Sequence, residues 1–181
     1  MAGILVEKDV QFRYNTRVTR LEKETDGVIS VHTGDNVEEF DKVLVTISPA
    51  QLARMAPQLP EEYLKGLLEL KSMGAVVMVI ALKHQLSKEG YYWYNLPKSA
   101  GFPFLALVEH TNFMPAERFG GSHLIYCGDY LEPGHEYFQF TKEELLERFI
   151  PSFKRINPDF SQDWITNSWV SRTNYAQPVP L

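Results

Sequence analysis

The sequence lacks the glycine signatures of nucleotide binding. Neither Gly-x-Gly-x-x-Gly nor Gly-x-x-x-x-Gly-Lys-Ser/Thr occurs in it. No glycine turn leading into a helix N-terminus therefore offers a pyrophosphate cradle. Cysteine is nearly missing as well. Cys127 is the sole thiol, so internal disulfides and thiolate metal frameworks are excluded. That usage fits a reducing cytosol. No apolar run approaches the ~20 residues that cross a bilayer; the longest, Ala75 to Leu82, is strand-sized. The first residues lack the basic region and long apolar core of a signal peptide, and a cytoplasmic location is expected. With a net charge of -5 there is no basic face for nucleic acid. Repeats and low-complexity stretches are absent.

A titratable constellation is also missing. His32, His84, His110, His123 and His135 show no i, i+4 helical spacing and no carboxylate cluster beside them, so no metal site is expected. Cys127 sits in a strand-like stretch without the basic or helix-terminal setting that activates a thiolate. Its neighbour Asp129 is read as a solvent-facing carboxylate at a strand end. No catalytic residue is expected in this chain.

What the chain does have is enough apolar material to fold. Its 181 residues are 44% hydrophobic and 13% aromatic. Strands are expected at Gln11–Tyr14, Arg17–Lys23, Val28–Thr33 and Val37–Phe40, with turns at Asp26-Gly27 and Gly34-Asp35-Asn36. Lys42 to Ile47 is apolar without alternation, the pattern of a strand buried on both faces of a parallel sheet. Ser48-Pro49 then caps a short helix. A second helix is expected over Glu61–Leu70, with Leu64, Leu67 and Leu68 on one face. Further strands are expected at Ala75–Leu82, Tyr91–Tyr94, Phe104–Glu109, His123–Leu131 and Trp164–Val170. Thr141 and Glu144 form a capping box for a helix along which Leu145, Phe149, Phe153 and Ile156 share a face and Pro151 imposes a kink. The expected class is α+β: a mixed β-sheet with helices on one face, plus a small β-meander. The domain boundary is expected near Ser48, separating residues 1–48 from 49–181.

Tyr91-Tyr92-Trp93-Tyr94 puts aromatics on both faces of one strand, so they cannot all enter one core. One face can line a pocket for a flat apolar molecule, or the strand can simply cover a core at a sheet edge. Phe102, Phe104 and Phe113 suit either arrangement.

Three stretches together resemble the flavin-containing amine oxidases and the protoporphyrinogen oxidase-like FAD-dependent oxidoreductases. Val10 to Leu21 (VQFRYNTRVTRL) is similar to the family segment in which a valine backbone meets the adenine of FAD, here Val18. Phe40 to Pro49 (FDKVLVTISP) resembles the strand that leaves the flavin domain, with Thr46 where alanine is usual. Val170 to Pro178 (VSRTNYAQP) is similar to the family's R-W-x-x-A-x-P, with Thr173 replacing tryptophan. The resemblance implies a central, substrate-side fragment: residues 1–48 would belong to the FAD domain and 49–181 to the substrate domain. It implies hydride transfer from a small-molecule substrate to FAD in the intact protein, with FAD not held by this chain alone. Val18, Thr46 and Ser48 would meet the cofactor; Tyr92, Tyr94, Phe104 and Leu107 would meet substrate. A homodimer through exposed apolar surface is a further expectation. The alternative is a stand-alone module that binds an apolar or aromatic ligand without redox activity.

Overall fold

The computed structural model of the chain describes residues 2–25 and 27–179. Two compact units divide between Leu70 and Lys71, so Ser48, the expected boundary, lies inside the first unit.

In the first unit a short helix α1 (Ala2–Val6) precedes an antiparallel meander of β1 (Arg20–Lys23), β2 (Ile29–Thr33) and β3 (Asn36–Phe40). The turns work because Gly27 and Gly34 take φ of 93° and 64°, which favours glycine; Asp26 lies outside the described residues. Val31 faces Leu21 on one side and Glu38 on the other. Helix α2 (Pro49–Met55) opens on a capping box: the Ser48 side chain accepts from Gln51 N, and Gln51 Oε1 accepts back from the Ser48 backbone. Helix α3 (Glu61–Glu69) follows, with Leu64 and Leu67 half-buried and Leu68 exposed. Two expected strands do not form. Gln11–Tyr14 is irregular, and so is Lys42–Ile47, where Leu44 is 89% exposed. Apolar character alone cannot make a strand; a ladder needs a neighbour, and no described residue pairs with 42–47. The expected buried strand is corrected accordingly.

The second unit is a five-stranded sheet in the order β5-β6-β7-β4-β8. Its strands are β4 (Ser72–Leu82), β5 (Trp93–Asn95), β6 (Ala106–Glu109), β7 (His123–Leu131) and β8 (Ile165–Pro178). Every pairing in both sheets is antiparallel. The class is α+β, as expected, without parallel strands among the described residues. β8 runs well past Val170, because the polar stretch Ser171–Gln177 still pairs with β4, across a register shift between Met73 and Ala75. Gly74 lies at that shift; a Cβ there would meet Thr173 O at 2.8 Å.

Helix α4 (Lys142–Ile156) closes one face of this sheet. Thr141 and Glu144 form its capping box, and the helix runs through Pro151 to Asn157. Its buried Leu145, Phe149 and Phe153 meet Val76, Met78, Ile80, Leu107, Ile125 and Cys127, which point to the same side of the strands. Phe104 packs into this layer, its ring 5.0 Å from Phe149 and 6.2 Å from Phe153.

Glu109 is the anomaly of this core, a carboxylate only 1% exposed. It accepts hydrogen bonds from Ser87 N at 2.8 Å and Asn112 Nδ2 at 3.1 Å. Burial still pushes its carboxyl above the ordinary range, against those bonds. The Ser87 Oγ and Tyr94 Oη atoms are buried without a partner of good geometry.

Two outcomes are expected. Phe149→Ala should lower stability by about 3–5 kcal/mol in urea unfolding, while Phe113→Ala, at an exposed ring, should stay within roughly 0.5 kcal/mol. Because the folded pKa of Glu109 is raised, its favourable contribution is full below the unfolded carboxyl pKa, roughly 4, and is lost as pH rises through the folded value. Stability measured against pH should therefore move in favour of Glu109→Gln as pH rises; a flat difference would refute the assignment.

Candidate functional site

The alternation that buries Leu107 turns its neighbours the other way. On the face opposite α4, Trp93 stands across from Val108 and Asn95 across from Ala106. Val108 in turn pairs with Tyr126, and Tyr126 with Val79. Among the described residues no α-helix of this unit covers that face. It holds a depression of about 350 Å³ lined by Val77, Trp93, Asn95, Val108, Tyr126 and Tyr130 among others. The His110 ring, in the short 3-10 turn His110–Asn112, stands edge-on to Tyr126 at 5.6 Å.

The floor is a glycine for a steric reason. Gly128 pairs with Val77 in mid-strand, and a Cβ on it would meet Val77 Cγ2 at 2.9 Å and Val76 O at 3.0 Å. One wall is fixed by a hydrogen bond: Trp93 Nε1 donates to Asn95 Oδ1 at 2.7 Å. That bond occupies the amide oxygen and leaves Asn95 Nδ2 to donate. Asp129 lines the rim and is half-buried rather than at the solvent. Burial raises its carboxyl, with Lys98 and His135 pulling it back. Among the described residues no three of His, Cys, Asp or Glu converge as a metal site needs.

Of the residues expected to meet substrate, Tyr92 is exposed beside Phe113, their rings 5.3 Å apart. Tyr94 is half-buried on the helix side, opposite Leu107. Phe104 and Leu107 are core residues under α4, and the depression on the opposite face is lined instead by their neighbours in the alternation, Ala106 and Val108. Strict alternation with Leu107 inward is the signal that could have found Ala106 and Val108.

In the first unit Val18 is half-buried just before β1. Neither its N–H nor its C=O has a hydrogen-bond partner among the described residues; the ladder starts with Thr19 N donating to His32 O. A free peptide edge of this kind fits adenine, which offers one donor and one acceptor side by side. Val18 and Ile47 line a common depression, whereas Thr46 and Ser48 do not, and the Ser48 hydroxyl is engaged in capping α2. Arg17, Gln51 and Arg54, which also line it, carried no periodic or motif signal in the sequence.

A family model described as "Flavin containing amine oxidoreductase" matches residues 1–181. No curated protein matches. Among solved structures, an oxidoreductase from Methanosarcina mazei is 15% identical with a TM-score of 0.74, over 96% of this chain and 41% of that one. Reduced UDP-galactopyranose mutase is 16% identical with a TM-score of 0.73, over 96% and 37%. Cyclohexylamine oxidase from Brevibacterium oxydans IH-35A is 13% identical with a TM-score of 0.62, over 87% and 34%. The chain thus spans about two-fifths of the first two, at 41% and 37%, and these likenesses are of fold.

Gly128→Ala should destabilise the second unit by roughly 1–3 kcal/mol through overpacking. Pairing it with Val77→Ala should recover part of the loss in denaturation experiments; no recovery would mean that Val77 is not the obstacle.

Proposed function

The chain belongs to the flavin containing amine oxidoreductase family, and from that premise we propose that it is the substrate-side portion of a flavin-dependent oxidoreductase acting on a small molecule. A bound FAD would supply the acceptor for a hydride from a C–H bond of that substrate, the proton on the adjacent N–H or C–H passing to a base outside this chain as a C=N or C=C bond forms. The observation that carries the reading is the uncovered sheet face of the second unit, aromatic and apolar around a glycine floor. Such a surface orients a flat ligand and keeps water from it. Trp93 and Tyr126 supply planar walls, and Asn95 Nδ2 supplies a directional donor to the ligand. This chain provides no acid or base for the step; its residues bind, orient and exclude solvent.

The first unit contributes the adenine end of the cofactor site through the Val18 peptide. Tight FAD binding and the reaction itself belong to a longer protein of which this chain is the central part. A reducing cytosol suits the single buried thiol of Cys127. Self-association through exposed apolar side chains such as Leu44 and Ile47 belongs to the same proposal, and sedimentation at two concentrations reads it directly.

The protein carrying this chain is expected to purify with flavin absorption that substrate bleaches in the absence of oxygen. Trp93→Ala should lower kcat/KM on the order of a hundredfold, the cost of a misplaced substrate, with flavin content unchanged. A protein without flavin would sink the reading, and full activity in Trp93→Ala would remove the substrate from this face.

A further inference from the structure

The register of the five strands gives the uncovered face of the second unit a definite relief. One cross-strand row on it runs Trp93, Val108, Tyr126, Val79 and Trp169 from β5 to β8. The row beside it runs Asn95, Ala106, Gly128, Val77 and Ser171. Large rings stand on alternate strands of the first row, and short side chains fill the second. Tyr130, two residues on from Gly128 and paired with Ala75, rises on the far side of the short row. A molecule seated in the depression therefore lies across the strands. Three strand spacings from β5 to β4 give the floor a length of roughly 14 Å, and neighbouring rows stand roughly 7 Å apart, about one ring wide.

The polar groups of this trough have a sense. An indole N–H only donates, so the atom of Asn95 that faces Trp93 Nε1 at 2.7 Å is the amide oxygen, and Nδ2 is left as a donor. Asn95 lines the depression at its β5 end. Asp129 borders it too, but it pairs with Val76, whose side chain goes under α4. Alternation turns the Asp129 carboxylate to that same side, where the charges of Lys98 and His135 act on it. An ammonium group at the β5 end would meet the positive end of the Asn95 amide dipole. An anion would find no cationic side chain in the lining. We infer that this face takes a neutral, flat aromatic carbonyl compound, its rings laid over Ala106, Gly128 and Val77 and its oxygen accepting from Asn95 Nδ2. The inference rests on the reading of this face as the substrate surface and adds the class of molecule it selects.

The test is calorimetric titration of the 181-residue chain with three probes of similar shape. They are acetylnaphthalene, isopropenylnaphthalene, in which a methylene replaces the carbonyl oxygen, and the naphthylmethylammonium cation. The ketone is expected to bind about fivefold tighter than its hydrocarbon isostere, the net size of one hydrogen bond, and tighter than the cation. Asn95→Asp keeps an acceptor for Trp93 Nε1 and removes the donor. It should erase the preference for the ketone and make the cation the tightest of the three, with circular dichroism unchanged. Trp93→Phe keeps a ring and lets the amide turn, so it should cut the ketone preference to less than about twofold; it serves if Asn95→Asp misfolds. Equal binding of ketone and isostere by the unaltered chain would overturn the inference. So would tightest binding of the cation, which would make the rings a cation cage, or binding of no probe. No flavin enters these titrations, and flavin content of the longer protein decides the flavin reading by itself, so either can fail while the other stands.

Discussion

Strand β4 is hydrogen-bonded along both edges, to β7 and to β8, and its side-chain alternation decides what each face of the second unit can be. Val76, Met78 and Ile80 go under α4 and are buried. Ala75, Val77 and Val79 must then point the other way. An antiparallel sheet of this size ordinarily turns polar residues to its uncovered side. Here that side is apolar, with Trp93, Tyr126 and Tyr130 joining Ala75 and Val77 of β4 around the depression. An apolar face without a covering helix is what a ligand or partner surface looks like, and the glycine at its centre is imposed by the close approach of Val77.

Much of this was legible in the residues. Ala75–Leu82 announced a buried strand, His123–Leu131 matched its observed bounds, and the capping box at Thr141 located α4. Two kinds of information were not local. Lys42–Ile47 has the composition of a buried strand, but a strand is defined by its neighbours, and none of the described residues pairs with it. Ser171–Gln177 has the composition of a loop, yet pairing with β4 holds it extended. In both cases the partner overrode the local pattern.

The candidate site shows the same limit at finer grain. The aromatic run Tyr91–Tyr94 marked a strand with two unlike faces, but composition gives no phase: which residues of an alternating strand face inward is set by the elements packed against them. Phe104 enters the core for that reason, since α4 supplies Phe149 and Phe153 to receive it. Val18 was indicated by family likeness alone. In the structure the ladder begins one residue later, so the Val18 peptide keeps both hydrogen-bonding groups.

The double pairing of β4 also sets an order in time. Amides held in a ladder on both sides, beneath a packed helix, open only with the whole unit, whereas the three-residue edge strand β5 can fray by itself. The floor of the depression, Val77 and Gly128, is built on the slow strands; its wall, Trp93 and Asn95, stands on the fast one. The surface proposed to receive a ligand is therefore permanent at its base and intermittent at its side, a basin whose rim breathes while its bed stays fixed.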